Sequence, residues 1–259
     1  MKVSKQEVTL IDHCGNDLSV VNAARVSFHK ESEWEVKAGM RPSDKGVLSQ
    51  KDAKLIKYLA EHNHKSPFNH AFMSFRVKAP IFVARQLVKH EYLPWNEVSR
   101  RYVDEEPEFY FPEYWRKASD NVKQGSSDDE MNLLRYDMDG KYHSREEMQE
   151  RFGGEYVEED FEVDGSLDSF LTFETQGSLD LYQGLLKAGV CAEQARMILP
   201  QNTMTEWIWS GTLFAFAKMC NLRLDSHTQK ETQEVAKMIH DIAKELYPVS
   251  WKALVSYEG

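Results

Sequence analysis

No run of about eighteen apolar residues occurs in this chain, so the sequence offers no helix that spans a membrane. The N-terminus, MKVSKQEVTLID, lacks the apolar middle of a signal peptide. Cysteine is scarce. Cys14, Cys191 and Cys220 are odd in number and far apart, which argues against a disulfide frame and predicts reduced thiols in a cytoplasmic protein, or one of the host cytoplasm if the source is viral. Internal repeats and a clear interdomain linker are also missing. A net charge of −10 argues against a general nucleic-acid binder.

What is present is enough for a sizeable core. The 259 residues are 41% hydrophobic and 29% charged, which predicts a single domain over 1–259 with one elaboration. That elaboration is acidic. Between Ser119 and Ser166 fifteen Asp/Glu face five Lys/Arg, so this stretch holds the whole negative excess. Its Gly/Ser punctuation marks 117–166 as a partly mobile insertion, with a short helix expected near SREEMQERF. The remaining body is balanced, and a balanced body can still focus positive charge locally on an anionic ligand.

Periodicity assigns the elements. VTLIDHC reads as a strand ended by Gly15-Asn16-Asp17, and VVNAARVSF as a short helix. Leu55, Ile56 and Leu59 give Lys51–His62 a helical stripe. Met73, Phe75 and Val77 alternate with Ser74, Arg76 and Lys78, the pattern of a half-buried strand. Pro80 opens a helix and Pro94 ends or follows it. Phe170–Lys187 reads as a helix stopped by Gly189, and a short helix carrying Arg196 leads to Pro200. Thr205–Cys220, apolar on most sides, reads as a buried helix. Ser226-His227-Thr228-Gln229 reads as a capping box opening a last long helix, with Val235, Ile239, Ile242 and Leu246 as its stripe.

The densest polar run between apolar segments is KHEYLPWNEVSRRY, Lys89–Tyr102. Gln86, Lys89 and His90 sit at i, i+3 and i+4, so they share a helix face, either solvated or turned to a ligand. Past Pro94 the chain reads as extended, with Glu97, Ser99 and Arg101 on one side. An acceptor, a hydroxyl and a guanidinium there can read a uracil-like edge or hold a phosphate. A surface salt bridge between Glu97 and Arg101 fits the same pattern. Arg25, Arg196 and Arg223 lie beside apolar residues, where a guanidinium must find a partner or line a cavity. The loop from His62 to His70 lacks Cys, a carboxylate and helical His spacing, so no metal site is expected.

Taken together these residues resemble the flavin-dependent thymidylate synthases. The family's signature is an Arg-His-Arg triplet, seven residues, then Ser; here it reads KHE, YLPWNEV, Ser99, followed by Arg101-Tyr102. GNDLSVVNAARVSF and HNHKSPFNHAF resemble its N-terminal blocks, and GVCAEQARMILPQNTMTEWIW and NLRLDSHTQKE its C-terminal ones. The likeness spans nearly everything except the acidic insertion. It implies an α+β fold of the thymidylate synthase-complementing protein type, a twisted mixed β-sheet flanked by helices. It implies a homotetramer with active sites shared between subunits, with neither nucleic acid nor membrane as partner.

The implied reaction is reductive methylation of dUMP to dTMP. 5,10-Methylenetetrahydrofolate gives the carbon, and FAD reduced by NADPH gives the hydride equivalent. By resemblance Gln86, Lys89, Glu97, Ser99, Arg100, Arg101, Arg196 and Arg223 surround dUMP. The resemblance also implies Arg223 as the catalytic residue, expected to stabilise charge as C5 becomes nucleophilic. His64, Ser66, Lys89, His90, Glu91 and Glu97 match flavin-contacting positions.

The chain also departs from the pattern. Lys89 and Glu91 replace the triplet's arginines; Lys keeps a charge without the fork, and Glu reverses it. Thr212 and Phe214 stand where the family typically has Asn and Arg, so no role is transferred to them. Unrelated thymidylate synthases attack the pyrimidine with a Cys thiolate. No Cys here has a setting that lowers its pKa, and Cys191 and Cys220 are expected in the core. A changed pyrimidine or product, and a nucleotide-binding protein without catalysis, remain as alternatives.

Overall fold

In a computed structural model the structure describes residues 1–36, 46–103, 105–118, 126–130, 135–136, 142–143, 150 and 167–257. The elements run β1 (Lys2–Val3), β2 (Glu7–Cys14), α1 (Asp17–Arg25), α2 (Gln50–Glu61), β3 (Phe72–Pro80), α3 (Ile81–Leu87) and β4 (Trp95–Glu97). They continue with β5 (Glu108–Phe109), β6 (Arg116–Ala118), β7 (Ser126–Glu130), β8 (Arg135–Tyr136), β9 (Tyr142–His143), α4 (Leu167–Lys187) and α5 (Ala192–Ala195). The last are β10 (Met204–Thr212), α6 (Leu213–Arg223), α7 (Lys230–Leu246) and α8 (Pro248–Leu254). Two compact units emerge. One comprises Gln6–Ala79, Val83–Glu97 and Thr205–Gly259; the other Met1–Lys5, Pro80–Phe82 and Val98–Met204. No helix among the described residues is long and apolar enough to cross a membrane.

The first unit is built on a four-stranded sheet in the order β2-β3-β10-β4. β2 runs antiparallel to β3 with Glu7 opposite Lys78, and β4 antiparallel to β10 with Glu97 opposite Trp207. Between β3 and β10, the Ser74 and Ser210 hydroxyls share a hydrogen bond of 2.9 Å, and Arg76 pairs with Glu206 at 2.5 Å. Alternation in β3 holds as expected: Met73, Phe75 and Val77 are fully buried. Phe75 meets Phe216 of α6 edge-on at 5.1 Å, which ties the sheet to the helical layer.

Four local expectations need correction. Thr205–Cys220 is not one helix: β10 runs to Thr212 and only then does α6 begin. Trp207 and Trp209 are buried on one face while Ile208 and Ser210 are half-buried on the other, the period of two of a strand. Thr212 makes the switch, its hydroxyl accepting the Ala215 N–H at 3.2 Å as an N-cap. α3 stops at Leu87, so Lys89 lies in the turn beyond the helix and shares its face only by extension. α7 begins at Lys230 after Gln229, not at Ser226; Asp225 instead accepts the His227 N–H at 2.9 Å and forms a turn. Cys220 is buried as expected, but Cys191 is exposed, just before α5.

The long helices follow their patterns. Val235 and Ile239 of α7 are fully buried, with Ile242 and Leu246 half-buried behind them. Pro248 opens α8, and the buried Asp17 carboxylate accepts the Val249 and Ser250 N–H groups at 3.0 and 2.8 Å.

In the second unit β1 pairs in parallel with β5, and α4 packs Leu179 and Tyr182 on Phe109 and Ala195. Gly189, at φ 89°, ends α4 with its N–H bonded to Leu186 O at 3.0 Å. β6 pairs antiparallel with β7, and β8 with β9. The helix expected near SREEMQERF lies outside the described residues.

Arg25 finds a structural partner rather than a ligand. Its guanidinium bonds Asp52, whose carboxylate also accepts the Ser32 and Ser49 hydroxyls at 3.0 and 2.8 Å. Burial pushes the Asp52 carboxyl up, but these bonds outweigh it and hold the pKa below the usual range. Asp52→Ala should therefore cost about 3–5 kcal/mol in urea unfolding, since it leaves the mostly enclosed Arg25 guanidinium without its carboxylate. A loss near that of a surface substitution would show the pair to be dispensable.

Candidate functional site

The sheet unit brings Gln86, His90 and Arg223 together. α6 ends at Arg223, and its Nε donates to His90 Nε2 at 2.9 Å while Nη2 donates to Gln86 O at 3.0 Å. The Gln86 side chain is held in turn by Gln229 at the start of α7. Among the described residues Arg223 has no carboxylate partner. Asp225, two residues further on, pairs with His227 instead. Arg223 is thus half-buried, fixed by neutral acceptors and still fully cationic.

His90 must be neutral to accept this bond, so its proton sits on Nδ1. Burial, then the Arg223 and Lys218 charges, bring its pKa down to about 4. The ring also lies 6.4 Å from that of Trp209, on the sheet. Lys89 and Glu91, on either side of His90, are exposed. Glu91 reaches Lys218 of α6 at 4.0 Å.

Glu97 ends β4 with both carboxylate oxygens engaged. Trp95 Nε1 donates to one at 3.0 Å and the Thr205 hydroxyl to the other at 2.7 Å. His64 and Ser66 flank Lys65 before the single turn Ser66–His70, and all three are exposed. The Lys65 ammonium lies over the Phe214 ring at 5.6 Å, and Thr212 donates to Asn69 at 2.9 Å. Among the described residues no group of three His, Cys, Asp or Glu could hold a metal ion.

Ser99, Arg100, Arg101 and Arg196 belong to the other unit. The extended segment stops at Glu97, correcting the expectation that Glu97, Ser99 and Arg101 alternate along one strand. A turn follows, closed by the Tyr102 N–H on Ser99 O at 3.0 Å. It folds Arg101 back so that its Nε donates to Ser99 Oγ at 3.0 Å. Arg101 also lies over the Tyr102 ring at 4.8 Å and reaches Glu193, not Glu97, at 3.9 Å. Arg100 Nη1 donates to Glu105 O at 2.5 Å, and burial lowers its pKa against the pull of Tyr182, Glu105 and Glu108. Arg196 is exposed at the start of a single turn, Arg196–Ile198.

The pattern missed Thr205, which fixes Glu97, and Lys218, which meets Glu91. A lone Lys in the apolar run FAFAKMC was the available signal for the second.

The chain matches known proteins along almost its whole length. A family profile described as thymidylate synthase complementing protein matches residues 9–249. A flavin-dependent thymidylate synthase of Thermotoga neapolitana is 33% identical over 255 residues, 98% of this chain and 93% of that protein. One of Thermus thermophilus is 35% identical over 251 residues, 97% of this chain and 76% of its own. Among solved structures, a UMP/dUMP methylase, PolB, of Streptomyces cacaoi bound with 5-Br dUMP is similar at a TM-score of 0.71 and 28% identity, covering 99% of this chain and 100% of that chain.

A neutral His90 makes the sheet unit acid-sensitive. Between its ordinary pKa of 6.5 and about 4 the unfolded chain binds a proton that the folded one refuses. Stability therefore falls as pH is lowered through that window. Urea midpoints at about pH 7 and about pH 4.5 should differ more for the wild type than for His90→Gln, which has no such proton to take up. Equal differences would show that His90 is already free to ionise in the fold.

Proposed function

The chain belongs to the thymidylate synthase complementing protein family, and we propose that it is a flavin-dependent thymidylate synthase, a methyltransferase that converts dUMP to dTMP. The observation that carries the chemistry is Arg223, a half-buried guanidinium held by His90 and Gln86, with no carboxylate among the described residues to neutralise it. Methylation at C5 needs electron density to build up on the pyrimidine before the new carbon bond forms. A fixed, uncompensated cation beside the ring stabilises that charge without having to reorganise.

In this reading Gln86, Lys89, Glu97, Ser99, Arg100, Arg101, Arg196 and Arg223 receive dUMP. Arg101 has the fork for a phosphate, and Ser99 orients it through the bond to Nε. Glu97 is fixed by Trp95 and Thr205, so its acceptor edge is set before the base arrives. His64, Ser66, Lys89, His90, Glu91 and Glu97 receive the flavin, which we take to be FAD. The donor set fits such a group: Lys65, Lys89 and Lys218 are exposed cations, and Phe214 supplies an aromatic surface. Bound flavin supplies the reducing equivalents, NADPH recharges it, and 5,10-methylenetetrahydrofolate supplies the carbon. A homotetramer with shared sites completes the proposal.

A second reading concerns the sugar. The similar solved methylase is a UMP/dUMP methylase, seen with 5-Br dUMP and with 5-Br UMP, which raises methylation of UMP as an activity of this chain as well. Comparing kcat/KM for UMP and dUMP decides it, and turnover of dUMP alone removes this reading.

The main test is a visible spectrum of the purified protein with and without dUMP. A flavin band that shifts on adding dUMP is expected; a protein that takes up no FAD defeats the proposal. Tritium release from C5-labelled dUMP, with folate and NADPH present, separates catalysis from nucleotide binding alone. Arg101→Lys should weaken dUMP binding by about 1–3 kcal/mol, because a point charge replaces the fork. Unchanged affinity would remove Arg101 from the phosphate. Arg223→Ala should lower turnover far more than it lowers the unfolding midpoint, whereas equal losses would make the residue structural.

A further inference from the structure

Glu91 stands where the triplet of the family has its second arginine, so under the flavin reading a carboxylate occupies a position assigned to an anionic cofactor. The same unit offers a replacement. α6 carries Phe214 and Lys218 at i and i+4, on one face of the helix. At one end of that face Lys65 covers Phe214 at 5.6 Å, between His64 and Ser66. At the other end Lys218 meets Glu91 at 4.0 Å, beside His90. The face therefore links the two segments assigned to flavin, with a lysine at each end.

We propose that Lys218 binds an anionic group of the flavin nucleotide in place of the missing triplet arginine, and that Glu91 positions it. This rests on the flavin-dependent reading above. The two side chains remain 68% and 72% exposed, so the pair adds little to stability and stays accessible to a ligand. Without Lys218, Glu91 beside a neutral His90 would repel an anion arriving there. A lysine can swing from one acceptor to another on its flexible stem, so it can leave the carboxylate for a phosphate oxygen or for the anionic reduced ring. The cation thus stands on α6 rather than in the turn after α3, where this chain has the carboxylate.

Flavin titration of the full-length protein, followed by absorbance and by reduction potential, tests this. If Lys218 meets phosphate, Lys218→Gln should weaken FAD binding about tenfold, the loss expected of one charge-assisted contact. If it meets the reduced ring, affinity for oxidised FAD stays and the bound potential becomes more negative, because the ring anion loses its counter-charge. In either case Lys218→Arg retains the wild-type value, and Glu91→Arg in the Lys218→Gln background restores it by returning the cation to the triplet. That rescue separates the effect from misfolding. Lys218→Gln with unchanged affinity and potential overturns the assignment while leaving the flavin reading intact, and a loss that Glu91→Arg does not repair also overturns it. Wild-type protein that takes up no FAD overturns both.

Discussion

A guanidinium drawn partly out of water has to be satisfied, and how it is satisfied decides what it can do. Arg223 meets His90 and Gln86 O, one neutral imidazole and one backbone carbonyl. Had the partner been a carboxylate, the bond would be stronger and the charge spent inside the protein. The arrangement asks much of its surroundings. α3 must end at Leu87 so that His90 can turn back, Gln86 must be held by Gln229, and α6 must end where its last residue reaches both. Burial keeps His90 neutral, and the Arg223 charge reinforces this, so the cation protects the tautomer that binds it.

The junction at Thr212 places that last residue. β10 buries Trp207 and Trp209 in the sheet, and the chain turns into α6 within a single residue. Thr212 serves both elements, capping α6 through Ala215 and reaching across to Asn69 just before β3. Its divergence from the family thus has a local physical role in this chain. Leu213 N–H also bonds Ala71 O at 2.9 Å, so the first turn of α6 is tied to the start of β3. The register of a whole helix, and hence the positions of Phe214, Lys218 and Arg223, follows from this corner.

Much of this was legible in the residues. The alternation of β3, the stripe of α7 and the stop at Gly189 each rest on one period or one backbone requirement, and these held. Signals that depend on tertiary partners did not. Thr205–Cys220 is apolar on most sides, and an apolar run of that kind does not reveal whether its period is two or 3.6. Ser226 and Gln229 have the spacing of a capping box, but Asp225 takes the His227 N–H in a turn of its own and the helix starts only at Lys230. Among the site residues, Arg223, His90 and Gln86 were identifiable as types, yet their mutual bonding joins α3, the following turn and α6. Arg25 had the same sequence context as Arg223 and proved structural, because Asp52, 27 residues away, was there to meet it. Context beside apolar residues says that an arginine needs a partner; it does not say whether that partner neutralises it.

The contrast with Asp52 explains how a carboxylate can be tolerated at Glu91. Asp52 is buried and takes three side-chain donors, from Arg25, Ser32 and Ser49, so its charge is committed to the fold. Glu91 is exposed, and its ion pair with Lys218, at 4.0 Å, is long and easily exchanged. A committed carboxylate there would silence the cation it met. A loosely held one orients Lys218 and then yields it to a stronger anion. Exposure thus allows a charge reversal within the triplet to be offset from the neighbouring helix, while the neutral cradle around Arg223 remains as it is.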